Sequence, residues 1–157
     1  MFFSPTYWRT YFKPWVEQMV AYAHEKGLPV IYHGCGNVKI IFQDFIEMGV
    51  DGYNPLEAKA GLDVVEPRGE HGHGIAFCGN SDMQVWETND RERIRREVLR
   101  KLRAARGGGY VFMSDHSVTS AVSGHTYDYI VKLVRENGRY PIQAQECEEE
   151  SSVLPKI

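Results

Sequence analysis

The chain reads as an α/β domain of four parallel βα units. Three observations carry that reading: short apolar runs alternate with helical stretches four times over, the connections are short, and the runs are apolar at nearly every position. Alternation with short links implies parallel strands joined by right-handed crossovers. Apolar residues on both sides of a strand imply a sheet covered on both faces.

The first thirteen residues are rich in aromatics and contain Ser4-Pro5, which predicts a turn and a short helical lead-in. Pro14 suits the first turn of a helix with Val16, Met19, Val20 and Ala23 at helical spacing, and Gly27 stops it. Residues 28–32 form a short buried strand. Asn37 then caps a helix whose Val38, Ile41, Phe42, Phe45 and Ile46 share a face before Gly49. Residues 50–54 are the next strand, closed by Pro55. Residues 56–65 read as a brief helix, 67–74 as a polar loop holding His71 and His73, and 75–78 as the third strand, bounded by Gly79-Asn80. Asn89 with Glu92 three residues on resembles a capping box, opening the longest helix, with Ile94, Val98, Leu99 and Leu102 as its stripe. Its arginines form the wet face. Gly107 to Gly109 end it and lack the spacing of a phosphate-binding loop. Residues 110–113 are the fourth strand, 114–124 a loop and 125–136 the last helix. The domain therefore runs over residues 1–144, and 145–157 form an acidic flexible tail with little to bury.

With 157 residues, 43% of them hydrophobic, there is material for one domain with a real core. The net charge of -3, with interspersed signs, gives no case for a nucleic-acid or anionic-membrane partner. No apolar run reaches bilayer length and the start lacks a signal segment, so a soluble cytoplasmic protein is expected. Three cysteines at 35, 78 and 147 form no disulfide pattern, which fits a reducing compartment.

The chemistry centres on His33-Gly34-Cys35-Gly36, where a strand end delivers an imidazole and a thiol into a glycine-rich turn. Such a pair can meet one soft metal ion, zinc above all, with a third ligand from elsewhere. The plainer alternative is a histidine bonded to backbone and a small buried thiol.

The series Ser4-Pro5, Pro14, His33-Gly34-Cys35-Gly36, Gly49-Val50-Asp51-Gly52-Tyr53-Asn54, Gly61-Leu62-Asp63, Gly79-Asn80-Ser81-Asp82, Gly108-Gly109-Tyr110 and Asp115-His116 resembles the uroporphyrinogen decarboxylase superfamily, which also contains cobalamin-dependent methyltransferases. The resemblance covers the chain to about Tyr140. It implies half of a TIM (β/α)8 barrel, strands five to eight, whereas a complete barrel takes about 250 residues. The missing half is expected to be a second copy, giving a homodimer, or an absent N-terminal half, because open strand edges and a bare inner face favour association.

In that fold function sits at the carboxyl ends of the strands, and the candidates fall there. The methyltransferase branch binds zinc through a His-x-Cys pair and a later cysteine. The resemblance implies His33 and Cys35 as ligands, with Cys78 or His116 standing in where this chain has Ser114-Asp115-His116. The decarboxylase branch uses no cofactor, and His116 matches a histidine at its tetrapyrrole site. Catalytic roles are thus expected for His116 and Asp82, and substrate contacts for Asn54, Asn80 and Asp115. Plainer readings stand beside these: His116 caps a loop, Asn80 and Asp82 hold a turn, Asp115 is solvated, Glu57 starts a helix near its dipole. Two classes of function follow. One is an enzyme acting on a tetrapyrrole carboxylate or transferring methyl groups from a corrinoid-linked substrate. The other is a non-catalytic or truncated half-barrel that binds a partner half.

Overall fold

Ser4 opens the first element by accepting a hydrogen bond from the Tyr7 N–H at 3.1 Å, and Pro5 fills the first turn of α1 (Pro5–Tyr11). In the computed structural model, residues 3–65, 74–140 and 142 are described. α2 (Lys13–Glu25) carries Pro14 in its first turn, as its sequence predicts, and closes at Gly27. β1 is Ile31–His33, shorter than the expected strand. The side chain of Asn37 accepts from the Lys39 N–H and opens a 3-10 turn (Lys39–Ile41) that runs into α3 (Phe42–Glu47). β2 (Gly52–Leu56), a 3-10 turn (Ala58–Ala60), β3 (Ala76–Ser81), α4 (Met83–Glu87), α5 (Arg91–Ala104), β4 (Tyr110–Ser114) and α6 (Gly124–Asn137) follow among the described residues.

The strands form one sheet in the order β1-β2-β3-β4, and every pairing is parallel. The four βα units are therefore as expected, and all strand ends that carry candidate residues lie on one edge of the sheet.

Several local expectations are corrected. β2 does not close at Pro55 but passes through it, the register shifting between Tyr53 and Leu56. β3 likewise continues through Gly79 and Asn80, both at positive φ. A side chain at Gly79 would bring its Cβ within 3.2 Å of the Pro55 ring, so the close β2–β3 approach requires glycine there. In place of a helix over 56–65 there is one 3-10 turn ended by left-handed Gly61. The cap of α5 is Asp90, whose carboxylate accepts from the N–H groups of Glu92 and Arg93, while Asn89 takes a left-handed conformation. The loop with His71 and His73 and the tail 145–157 lie outside the described residues.

Cover on both sheet faces holds for the central strands only. β2 and β3 are buried almost throughout, but Ile31 of β1 and Val111 and Met113 of β4 are exposed. These are edge strands, and among the described residues these side chains are left largely uncovered. On the other face the core has two parts. Val20, Phe42, Phe45, Tyr53 and Phe77 lie between the helices and the first three strands. Trp86, Ile94, Val98, Ile130 and Leu133 join α4, α5 and α6.

The α5 stripe packs as predicted, and Lys101, a cation of the same arginine-rich helix, is buried as well. Its side chain is 1% exposed, and its ammonium donates to Asn80 at 2.6 Å and Asp63 at 3.0 Å and faces Glu97 at 3.6 Å. Burial pushes the Asp63 carboxyl up, but hydrogen bonds from Arg100, the Val65 N–H and Lys101 outweigh it and hold the group at about 2. A carboxyl depressed in the folded state stabilises the fold fully above about pH 4, where an unfolded aspartate ionises, and that stability is lost as pH falls through the folded value. Urea titrations should show the wild type losing about 2 kcal/mol more than Asp63→Asn between pH 4 and pH 2.

Candidate functional site

His33 is the last residue of β1 and Cys35 lies two residues on, in the turn that leaves the sheet. Both side chains are exposed, with Cys35 Sγ 3.8 Å from His33 Nε2. Behind the ring, Asn54 Nδ2 lies 3.5 Å from His33 Nδ1. Asn54 Oδ1 is buried without a hydrogen-bond partner. Turning that amide by half a rotation sets the oxygen toward Nδ1–H, satisfies it, and leaves Nε2 as a lone pair facing the thiol.

Three contacts fix the turn. Tyr53 Oη donates to the Gly34 carbonyl at 2.6 Å, the Gly36 N–H donates to Glu57 Oε2 at 2.6 Å, and the Gly34 N–H extends the sheet bond to Asn54 O at 3.0 Å. Strand alternation places Tyr53 on the helix side, where burial holds its phenol well above the usual range, so it remains a donor. A Cβ on Gly34 would stand 3.1 Å from that phenol oxygen. Glu57 stands at the start of the 3-10 turn Ala58–Ala60, but its carboxylate makes no capping bond there and crosses to Gly36, with Lys59 at 3.3 Å. Neither Tyr53 nor Glu57 is marked by any local pattern, since each acts about twenty residues away.

The other predicted residues divide by what their polar atoms already do. Asp115 is 1% exposed and not solvated. One of its oxygens accepts from the Ala58 N–H and the other from the Met83 N–H, each at 3.0 Å, which ties the loops after β2 and β3 to the end of β4. Asn80 is fully buried: its oxygen accepts from Val64 N–H and Lys101, and its amide donates to the Leu56 and Leu62 carbonyls. Asp82 caps α4 by accepting from the Gln84 N–H at 2.8 Å. His116 is exposed on the loop after β4, its carbonyl accepting from Ser114 Oγ.

Cys78 does not complete the pair at β1. It sits on β3, two strands away, which at sheet spacing is about 10 Å. It is buried, and burial pushes its thiol pKa up, against the thiolate a metal needs. Among the described residues, no three His, Cys, Asp or Glu side chains gather to hold a metal ion. The structure thus joins His33, Cys35 and Asn54 at one corner of the strand-end mouth and places His116 at the far strand.

The family model for uroporphyrinogen decarboxylase matches residues 1–137. Uroporphyrinogen decarboxylases from two strains of Thermus thermophilus are each 27% identical over 140 residues, covering 85% of this chain and 38% of theirs. A solved methyltransferase from Methanosarcina mazei superposes with a TM-score of 0.67 at 20% identity, again over 85% of this chain and 38% of the other. The chain spans less than two fifths of the length of the relatives it matches. No helix among the described residues is long and apolar enough to cross a membrane.

Proposed function

The chain belongs to the uroporphyrinogen decarboxylase family, and from that membership we propose that it carries, at the end of β1, two of the zinc ligands of a member that transfers methyl groups. The observation that carries this reading is the separation of His33 Nε2 and Cys35 Sγ, 3.8 Å, with both groups exposed at the mouth. Zinc bonds of about 2.3 Å to sulfur and about 2.0–2.1 Å to nitrogen at a near-tetrahedral angle set the two donor atoms about 3.6 Å apart. The fit needs only a small rotation of either side chain. Asn54 orients the imidazole from behind, in the way outer partners hold ligating histidines. Tyr53 and Glu57 hold the turn so that the thiol stays beside the ring. Zinc bound there would lower the pKa of a substrate thiol and present it as a thiolate to a methyl donor. One remaining coordination position would fall to that thiolate.

A decarboxylase-type reading is favoured by one placement: His116 is exposed at the same strand-end mouth, where a proton donor to a tetrapyrrole would stand. The Thermus relatives carry that name, and the reaction needs no cofactor in that branch. Metal analysis separates the two readings. Purified, dialysed protein is expected to hold one zinc per chain, lost in His33→Ala and in Cys35→Ala, and its cobalt-substituted form should show thiolate charge-transfer absorption lost in Cys35→Ala. A folded but metal-free wild type, or full zinc content in both variants, would overturn the methyl-transfer reading.

A further inference from the structure

Helix α5 carries far more positive charge than its surroundings offset. Residues 91–106 hold eight arginines and lysines against Glu92 and Glu97, in a chain whose net charge is -3. At about 100° per residue, Arg93, Arg96, Arg100 and Arg103 fall within one arc of about 80°, opposite the buried Ile94, Val98 and Leu102. All four are exposed. Arg100 reaches Asp63 at 2.6 Å and Glu97 at 3.2 Å, whereas the guanidinium groups of Arg93, Arg96 and Arg103 take part in no ion pair among the described residues. Like charges three and four positions apart on a helix repel, so the row favours a counter-charge laid along it. In a barrel this face belongs to the outer ring of helices and points away from the sheet, whatever chain precedes residue 1.

After α6 the chain returns to the C-terminal end of that same helix. A Cβ at Gly138 would stand 3.4 Å from the Leu102 side chain, and Tyr140 Oη donates to the Tyr110 carbonyl at 3.3 Å. Ile142 packs against the same core region as Ala104. Residues 143–157 lie outside the described residues, and their sequence holds Glu146, Glu148, Glu149 and Glu150. An extended chain covers about 3.3–3.6 Å per residue, so Glu150 can stand up to about 28 Å from Ile142. The row from Arg93 to Arg103 is about 15 Å long. The acidic residues therefore reach all of it.

We propose that the acidic segment 146–150 docks on the arginine row of α5. Its charge is complementary to the three unpaired guanidinium groups, and its short tether holds it at an effective concentration of about a millimolar or more. A free polyanion has no tether and approaches a chain that is otherwise negative, which disfavours nucleic acid and anionic lipid as occupants. The contact lies between exposed charges, so salt weakens it. An acidic segment of another protein has to displace the tail before it can use this face. The His33–Cys35 corner takes no part, and the docking goes beyond the zinc reading without depending on it.

A nitroxide on Cys147 of the full chain reads the contact. Cys35→Ser removes the exposed thiol, and Cys78 is buried. Amide signals across residues 93–103 should broaden relative to the reduced label. Changing Glu148, Glu149 and Glu150 together to glutamine, or raising sodium chloride to about 0.5 M, should cut that broadening about two-fold or more. Arg96→Glu with Arg103→Glu should do the same at unchanged circular dichroism, with Arg93→Glu in place of Arg96→Glu should that pair fail to fold. Adding Glu148→Arg, Glu149→Arg and Glu150→Arg to the arginine variant should restore the broadening. Broadening confined to residues beside Ile142, broadening indifferent to salt and to the glutamine changes, or a charge-swapped chain that does not recover would each overturn the proposal.

Discussion

Replacing Lys101 by alanine is expected to cost about 3–5 kcal/mol of folding stability, read as the shift in urea midpoint at unchanged slope. The ammonium is almost wholly buried and holds three groups at once: Asn80 Oδ1, Asp63 and Glu97. Its removal opens a cavity where the stem lay and strips Asp63 and Glu97 of their buried counter-charge, leaving Arg100 as their remaining cation. Lys101→Met, which keeps the stem and loses only the charge, should recover part of the loss. The effect reaches the mouth through Asn80, which three further bonds tie to the end of β2 and the chain after it. A loss below about 1 kcal/mol would mean that water replaces the ammonium without penalty, and the network would then have no structural role.

Phe45→Ala should be comparably severe, about 3–5 kcal/mol, because its ring is the hub of the larger core. It lies 4.6 Å from the Tyr32 ring, 5.1 Å from Tyr53 and 5.5 Å from Trp8, and is almost fully buried. The consequence extends to the candidate site. Tyr53 leans on Phe45 and holds the Gly34 carbonyl, so slack around Tyr53 loosens the turn that carries His33 and Cys35. Amide exchange at Gly34 to Gly36 should accelerate more than exchange in α6, which packs in the other core region. Equal acceleration in both places would show global destabilisation only.

The parts of this molecule that were legible in its sequence are those settled over a few residues. The short helical lead-in at Ser4-Pro5, Pro14 in a first turn and the apolar stripe of α5 all depend on spacings shorter than one or two helical turns. The His33–Cys35 pairing is legible for the same reason. Edge position is not a local property, so nothing in Leu28 to His33 announces that Ile31 faces open space. Asp115 reads as a loop carboxylate because its partners, Ala58 and Met83, are 57 and 32 residues away. Lys101 reads as one more cation on an arginine-rich helix because Asp63 is 38 residues earlier. The expected role for Cys78 failed on lateral distance across the sheet, a quantity that strand order supplies and residue type does not.

Because Ala58 after β2 and Met83 after β3 both hang from the single carboxylate of Asp115, that part of the strand-end mouth is already shaped before anything arrives. A molecule entering there freezes little additional chain, so less of its contact energy is consumed in ordering its host. Discrimination at such a rigid doorway falls on the visitor, which must match the contour as it stands or deform itself to pass.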